Sequence, residues 1–198
     1  MSEQGSETEE HWYQIGKSLF EAGKYEDALA AYESVLRINP MDDNAWYMKG
    51  WMLAMLGRNQ DAIFAFDQAL EFNPNNDAAW NGKGTSLKAL KQYDEALLCY
   101  GMVLSITPDM WPALVNKGNL MLEIGDSQGA LMCYNEALDL SPDSWYIWYV
   151  KGDALKTIGN FAEAIACFDK VLELSPDNED VVLDRLEVLE LLKEQDDL

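Results

Sequence analysis

Apolar and small residues recur along this chain at helical spacing, in short blocks separated by polar turns, glycine and proline. Within residues 77–110 they fall at Trp80, Gly84, Leu87 and Leu90, one face of a helix with a 3.6-residue period. A break follows at Lys91 and Gln92. Ala96, Tyr100, Val103 and Leu104 mark a second helix, closed by Thr107-Pro108-Asp109, because proline has no N–H with which to continue it. The block recurs: Gly16, Gly50, Gly84, Gly118 and Gly152 are spaced by 34 residues, and so are Pro40, Pro74, Pro108, Pro142 and Pro176. A period of that size, held without insertion, predicts one helix–turn–helix unit stacked on itself rather than a globular core. The predicted repeats are 9–42, 43–76, 77–110, 111–144 and 145–178, with a closing helix at 179–198. Residues 1–8, polar and acidic, are expected to be a disordered tail.

Gly23, Gly57, Gly125 and Gly159 stand at the inner turns, where a glycine takes the positive φ that ends a helix; Lys91 takes that place in the third repeat. The glycines of the 34-residue series lie inside first helices, where Gly costs about 1 kcal/mol relative to Ala. Trp12, Trp46, Trp80 and Trp148 stand one turn before four of them, and Ala28, Ala62, Ala96, Ala130 and Ala164 stand in the opposing helix. The expected reason is a gap facing an alanine, which lets two helices approach closely.

This succession of Trp, Gly, Ala, an aromatic residue (Tyr32, Phe66, Tyr100, Tyr134, Phe168) and Pro resembles the tetratricopeptide repeat. The resemblance covers residues 9–178, with Leu114 in place of Trp in the fourth copy. It implies an all-α fold, a right-handed superhelical solenoid of helix–turn–helix repeats. It also implies a non-catalytic adaptor or scaffold that binds a peptide or helix of a partner protein in the concave groove lined by the first helices.

At about 100° per residue, the arc of each first helix left over after packing can be read off. It holds Tyr13, Lys17 and Phe20, then Tyr47, Trp51, Ala54 and Met55, then Asn81, Thr85 and Lys88. Val115, Asn116, Asn119 and Leu122 follow, and then Tyr146, Tyr149, Asp153 and Lys156. With Glu10, Glu21 and Glu123 included, the arc carries three lysines against four carboxylates, so nearly all of the chain's net charge of −21 falls elsewhere. Aromatic residues provide anchor area at low entropy cost, and asparagines offer both donor and acceptor to an extended backbone. Trp51 stands out, because the repeat's packing does not ask for tryptophan there. Some members of the family grip a C-terminal carboxylate with two Lys, two Asn and an Arg. The equivalent slots here hold Tyr47, Trp51, Gly82, Pro112 and Asn116, so that clamp is not expected.

The closing helix has no second helix after it. Val181, Val188 and Leu192 are expected to cover the fifth repeat, whereas Val182, Leu186 and Leu189 point where the missing helix would pack, a candidate face for self-association into a homodimer. Lys49, Lys83, Lys117 and Lys151 also step by 34; their stems are expected to be covered while the amines reach local carboxylates.

Composition narrows the chemistry. The 35 Asp and Glu against 14 Lys and Arg disfavour nucleic acid and anionic membranes, where cations must meet phosphates. They leave open a second reading, an acidic chaperone-like binder of basic proteins through the outer helices, and a third, an architectural self-assembling module. No apolar run approaches a membrane span and no secretory signal is read at the start, so a cytoplasmic location is the expectation. His11 is the only histidine, so neither a Ser–His nor a Cys–His pair can be assembled, and no enzyme, cofactor or metal site is expected. Gly82-Lys83-Gly84-Thr85-Ser86 has no glycine five residues before the Gly-Lys pair and follows no strand, which excludes a phosphate loop. Cys99, Cys133 and Cys167 step by 34 and read as small packing residues, as Ala31 and Ala65 do in the same slot.

Overall fold

A computed structural model describes residues 8–196, and among them there are eleven α-helices and no strand. The expected tail, 1–8, lies outside the described residues except for Thr8. The chain forms two compact units, Met1–Pro108 and Asp109–Leu198. The first unit contains three hairpins: α1 (Glu9–Glu21) with α2 (Tyr25–Ile38), α3 (Asp43–Met55) with α4 (Asn59–Phe72), and α5 (Asp77–Ala89) with α6 (Tyr93–Ile106). The second contains α7 (Trp111–Glu123) with α8 (Ser127–Leu140), α9 (Trp145–Thr157) with α10 (Phe161–Leu174), and α11 (Glu179–Asp196).

Local chemistry sets the helix ends. Thr8, Asp42 and Asn76 cap α1, α3 and α5 by accepting from the backbone N–H three residues on, at His11, Ala45 and Ala79. The five inner turns close alike: the N–H of Lys24, Arg58, Gln92, Asp126 and Asn160 donates to the carbonyl of Leu19, Leu53, Leu87, Met121 and Leu155. That closure needs a left-handed residue just before the donor. Four glycines provide it, and Lys91 adopts it at φ 61°. A side chain in this region is strained, so Lys91→Gly is expected to raise stability by about 0.5–1 kcal/mol, part of the relief being lost to the freer unfolded chain. A urea midpoint that failed to rise would show the third turn to be unstrained.

The glycines of the 34-residue series have a different use from the expected one. The alanines opposite them are fully buried, but the gap is filled by the aromatic ring one turn further along the second helix. A Cβ on Gly16 would lie 2.9 Å from the Tyr32 ring, on Gly50 2.8 Å from Phe66, and on Gly84 2.8 Å from Tyr100. Gly118 against Tyr134 and Gly152 against Phe168 repeat the arrangement in the second unit. Phe66 is wedged further: a Cβ on Gly82 of the next hairpin would come within 2.5 Å of it.

Tryptophan and lysine tie the second, third and fifth hairpins to the segment before each. The indole N–H of Trp46, Trp80 and Trp148 donates to the carbonyl of Pro40, Pro74 and Pro142. Lys49, Lys83 and Lys151 lie over those same indoles, 5.3–5.5 Å from the ring centre. Lys49 also pairs with Glu33 at 3.0 Å and Lys83 with Asp67 at 2.6 Å, so at these positions the lysine ladder serves packing. Asp43 accepts from Asn73, and Asp77 from the Thr107 hydroxyl, fastening the start of each hairpin to the turn that follows it. In the second unit, Val181 and Val188 of α11 are buried against Leu155, Phe168 and Val171 of the last hairpin.

Candidate functional site

In the first unit most of the residues expected on the inner arc, though not Asn81 or Lys88, line two clefts. One, of about 430 Å³, is lined by Tyr13, Lys17 and Phe20 of α1, by Tyr32, and by Tyr47 and Met48 of α3. The other, of about 330 Å³, is lined by Trp51, Ala54 and Met55 of α3 and by Gly82, Thr85, Ser86 and Ala89 of α5. Tyr47 and Trp51 are half-buried and their rings lie 6.4 Å apart, while Met55 is exposed. Tyr47 also leans on Phe66, and burial, followed by the nearby Asp77 charge, pushes its hydroxyl pKa up. Tyr13 donates to Asp42 at 2.7 Å, the same carboxylate that caps α3, so its hydroxyl is committed and its ring remains as cleft wall.

One slot explains which inner residues the fold needs. In the third hairpin Thr85 Oγ1 lies 3.4 Å from the hydroxyl of buried Tyr100; in the fourth the Tyr134 hydroxyl donates to Asn119 at 2.7 Å. Buried hydroxyls need partners, so Thr85 and Asn119 are structural as well as inward-facing. The corresponding pair in the second hairpin is Trp51 and Phe66. Phenylalanine has no hydroxyl to satisfy, so the slot is released from that duty, and it holds tryptophan. Asp153 opposite Phe168 is the parallel case in the second unit.

Asn81 and Lys88 are half-buried on α5, as is Asn116 on α7, and each has a partner of its own. Val115 is a correction: expected on the inner arc, it is only 1% exposed. A short aliphatic side chain in that slot lies down in the seam between helices, where the longer Tyr47 reaches past it. In the second unit, α11 engages two of the expected residues. Tyr149 donates to Asp184 at 3.1 Å, and Lys156 pairs with Glu187. Burial and then Asp184 push the Tyr149 pKa up; the hydrogen bond to Glu187 raises that of Lys156. Of the residues expected to face the missing helix, Val182 and Leu186 are exposed and Leu189 is half-buried. Leu183, which the helical pattern does not single out, is the most exposed large apolar residue of α11, at 66%.

His11 is exposed, with its ring edge on Trp12. The three cysteines are buried and free, and burial pushes the thiols of Cys99 and Cys167 up to about 11, which makes them poor nucleophiles. Among the described residues no group of three or more His, Cys, Asp or Glu is placed to hold a metal ion, and no helix is long and apolar enough to cross a membrane.

Comparison with known proteins fits this geometry. One tetratricopeptide repeat family model matches residues 13–77 and 115–179, and a second matches 65–97. Among solved structures the chain is similar to TTC0263, a thermophilic repeat protein of Thermus thermophilus, at 22% identity and a TM-score of 0.75, covering 92% of this chain and 99% of that one. It is similar to PilW, a type IV pilus biogenesis factor, at 21% identity and a TM-score of 0.85, covering 93% and 86%. It is also similar to YrrB, a repeat protein with an unusual peptide-binding site, at 21% identity and a TM-score of 0.69, covering 92% and 94%. At these identities the likeness is one of fold. A comparison with curated proteins finds no match.

Proposed function

Because the chain belongs to the tetratricopeptide repeat family, whose fold suits protein-interaction adaptors, we propose that it binds a peptide or helix of a partner protein on the inner surface of its first unit. The observation that carries this reading is Trp51. Its slot serves a buried tyrosine hydroxyl in the next two hairpins, has no such task here, and yet holds the largest side chain available. Beside it, Tyr47 and Met55 complete an apolar wall on a chain whose charge lies mostly elsewhere. YrrB, of the same fold, is described as having a peptide-binding site, which shows that such a scaffold can carry one.

The test is capture of a partner from native lysate, followed by titration of that purified partner against wild type and the Tyr47→Ala, Trp51→Ala double variant. Two central aromatic anchors removed together are expected to weaken binding by about 100-fold or more, since anchors of this kind are each worth about 2 kcal/mol. Unchanged affinity would remove the inner surface from consideration. If affinity were also to collapse between low and high salt, binding would be assigned to the acidic outer helices, where exposed charges are screened over about 8–10 Å.

A further inference from the structure

We infer that the cleft between α3 and α5 is a subsite for a tyrosine side chain of an extended partner segment, with a second apolar residue of that segment three positions away in the cleft between α1 and α3. This rests on the reading of the inner surface given above and specifies what that surface recognises.

The first observation is the shape of the cleft. Trp51, Ala54 and Met55 form one wall, and Gly82, Ser86 and Ala89 on α5 form the other. A large apolar wall facing small residues makes a slot for a flat group, and a methionine thioether beside it favours an aromatic ring. The second observation is independent of shape. Ser86 is 1% exposed, and among the described residues its Oγ is the one buried side-chain polar atom without a hydrogen-bond partner. It does not bond back to its own helix, as Ser34 does to the Ala30 carbonyl at 2.9 Å. The equivalent positions in the second, fourth and fifth hairpins hold Met52, Leu120 and Ala154, all buried, so where this slot is buried an apolar residue satisfies it; the first hairpin has Ser18 there, exposed to water. A hydroxyl kept unpaired in the lining of a cleft awaits a partner from outside.

Tyrosine meets both demands. Its ring fills the slot against Trp51 and Met55, and its hydroxyl reaches Ser86, an amphipathic pairing that phenylalanine cannot make. The spacing follows from the repeat. The clefts lie one repeat apart along successive first helices, about 10 Å, which a segment in the extended polyproline II conformation spans in three residues at about 3.1 Å each, its three-residue turn bringing the second side chain back to the same face.

The probes are fluorescein-labelled nine-residue peptides carrying one leucine and one tyrosine three positions apart, in both orders, and the same peptides with phenylalanine for tyrosine. Anisotropy titrations would use the full chain and its Ser86→Ala variant. Wild type is expected to bind the better tyrosine peptide about fivefold more tightly than its phenylalanine counterpart, the worth of one hydrogen bond. Ser86→Ala is expected to erase that preference by weakening the tyrosine peptide alone, while the urea midpoint of the free protein rises. Equal binding of the two peptides to wild type, an equal loss of both on Ser86→Ala, or no binding of either would overturn the subsite. Those results leave the inner-surface reading to the Tyr47 and Trp51 variant, so the two can fail separately.

Discussion

Truncating Phe66 to alanine is expected to lower the unfolding free energy by about 3–5 kcal/mol. The ring is fully buried, and its surroundings cannot close over the space it leaves. Two of its neighbours are Gly50 and Gly82, on successive first helices, and a glycine has no side chain to swing into a cavity. Relaxation would require α3 and α5 to move bodily, and Tyr47, which leans on the same ring, would lose its backing. The complementary change, Gly82→Ala, places a carbon within 2.5 Å of the ring and is expected to cost about 1–3 kcal/mol by overpacking. Urea unfolding at constant slope measures both. Combining Gly82→Ala with Phe66→Leu should cost less than the sum of the two single changes, because residues in contact couple. Strict additivity would mean that the ring is not wedged between the two glycines.

Ending the chain after Asn178 is expected to remove about 3–6 kcal/mol from the second unit. Val181 and Val188 are both buried, and each contributes about 1.5–3 kcal/mol by leaving water. The same cut strips Asp169 of Arg185, Tyr149 of Asp184 and Lys156 of Glu187. Since each repeat is supported only by its neighbours, the loss should fall on α9 and α10 and leave α1–α4 unaffected. Hydrogen exchange reads this directly: amides of the last hairpin should lose protection while those of the first two hairpins keep it. Uniform loss along the chain, or none, would contradict a nearest-neighbour stack.

The inner surface is partly legible in the sequence. A helical wheel places Trp51, Met55 and Thr85 on the inner arc because the 3.6-residue period is a local property of backbone geometry, and the cleft between α3 and α5 holds all three. The wheel could not rank them. Thr85 and Asn119 look like free polar contacts in the chain, but Tyr100 and Tyr134, fifteen residues further on and in the facing helix, draw on them. Ser86 looks ordinary in the chain, and only the neighbours it lacks make it conspicuous. Val115 shares a register with Tyr47 but not its length, and it sinks into the seam. Tyr149 and Lys156 sit in the expected arc, yet partners more than thirty residues later in the chain engage them.

By itself the sequence determined the repeat: that each unit is two helices, where a left-handed turn is needed, and that the unit recurs every 34 residues. Those features depend on apolar spacing, on the φ preferences of glycine and on proline's missing N–H, all of which act within a turn or two of chain. The tertiary structure decided that the interior glycines admit rings rather than merely face alanines, that the lysine ladder packs over tryptophan, and which inner residues are spare. Each of these depends on a partner far away in the chain. Whether such a partner presents a hydroxyl, a ring or a carboxylate is settled only when the helices are side by side.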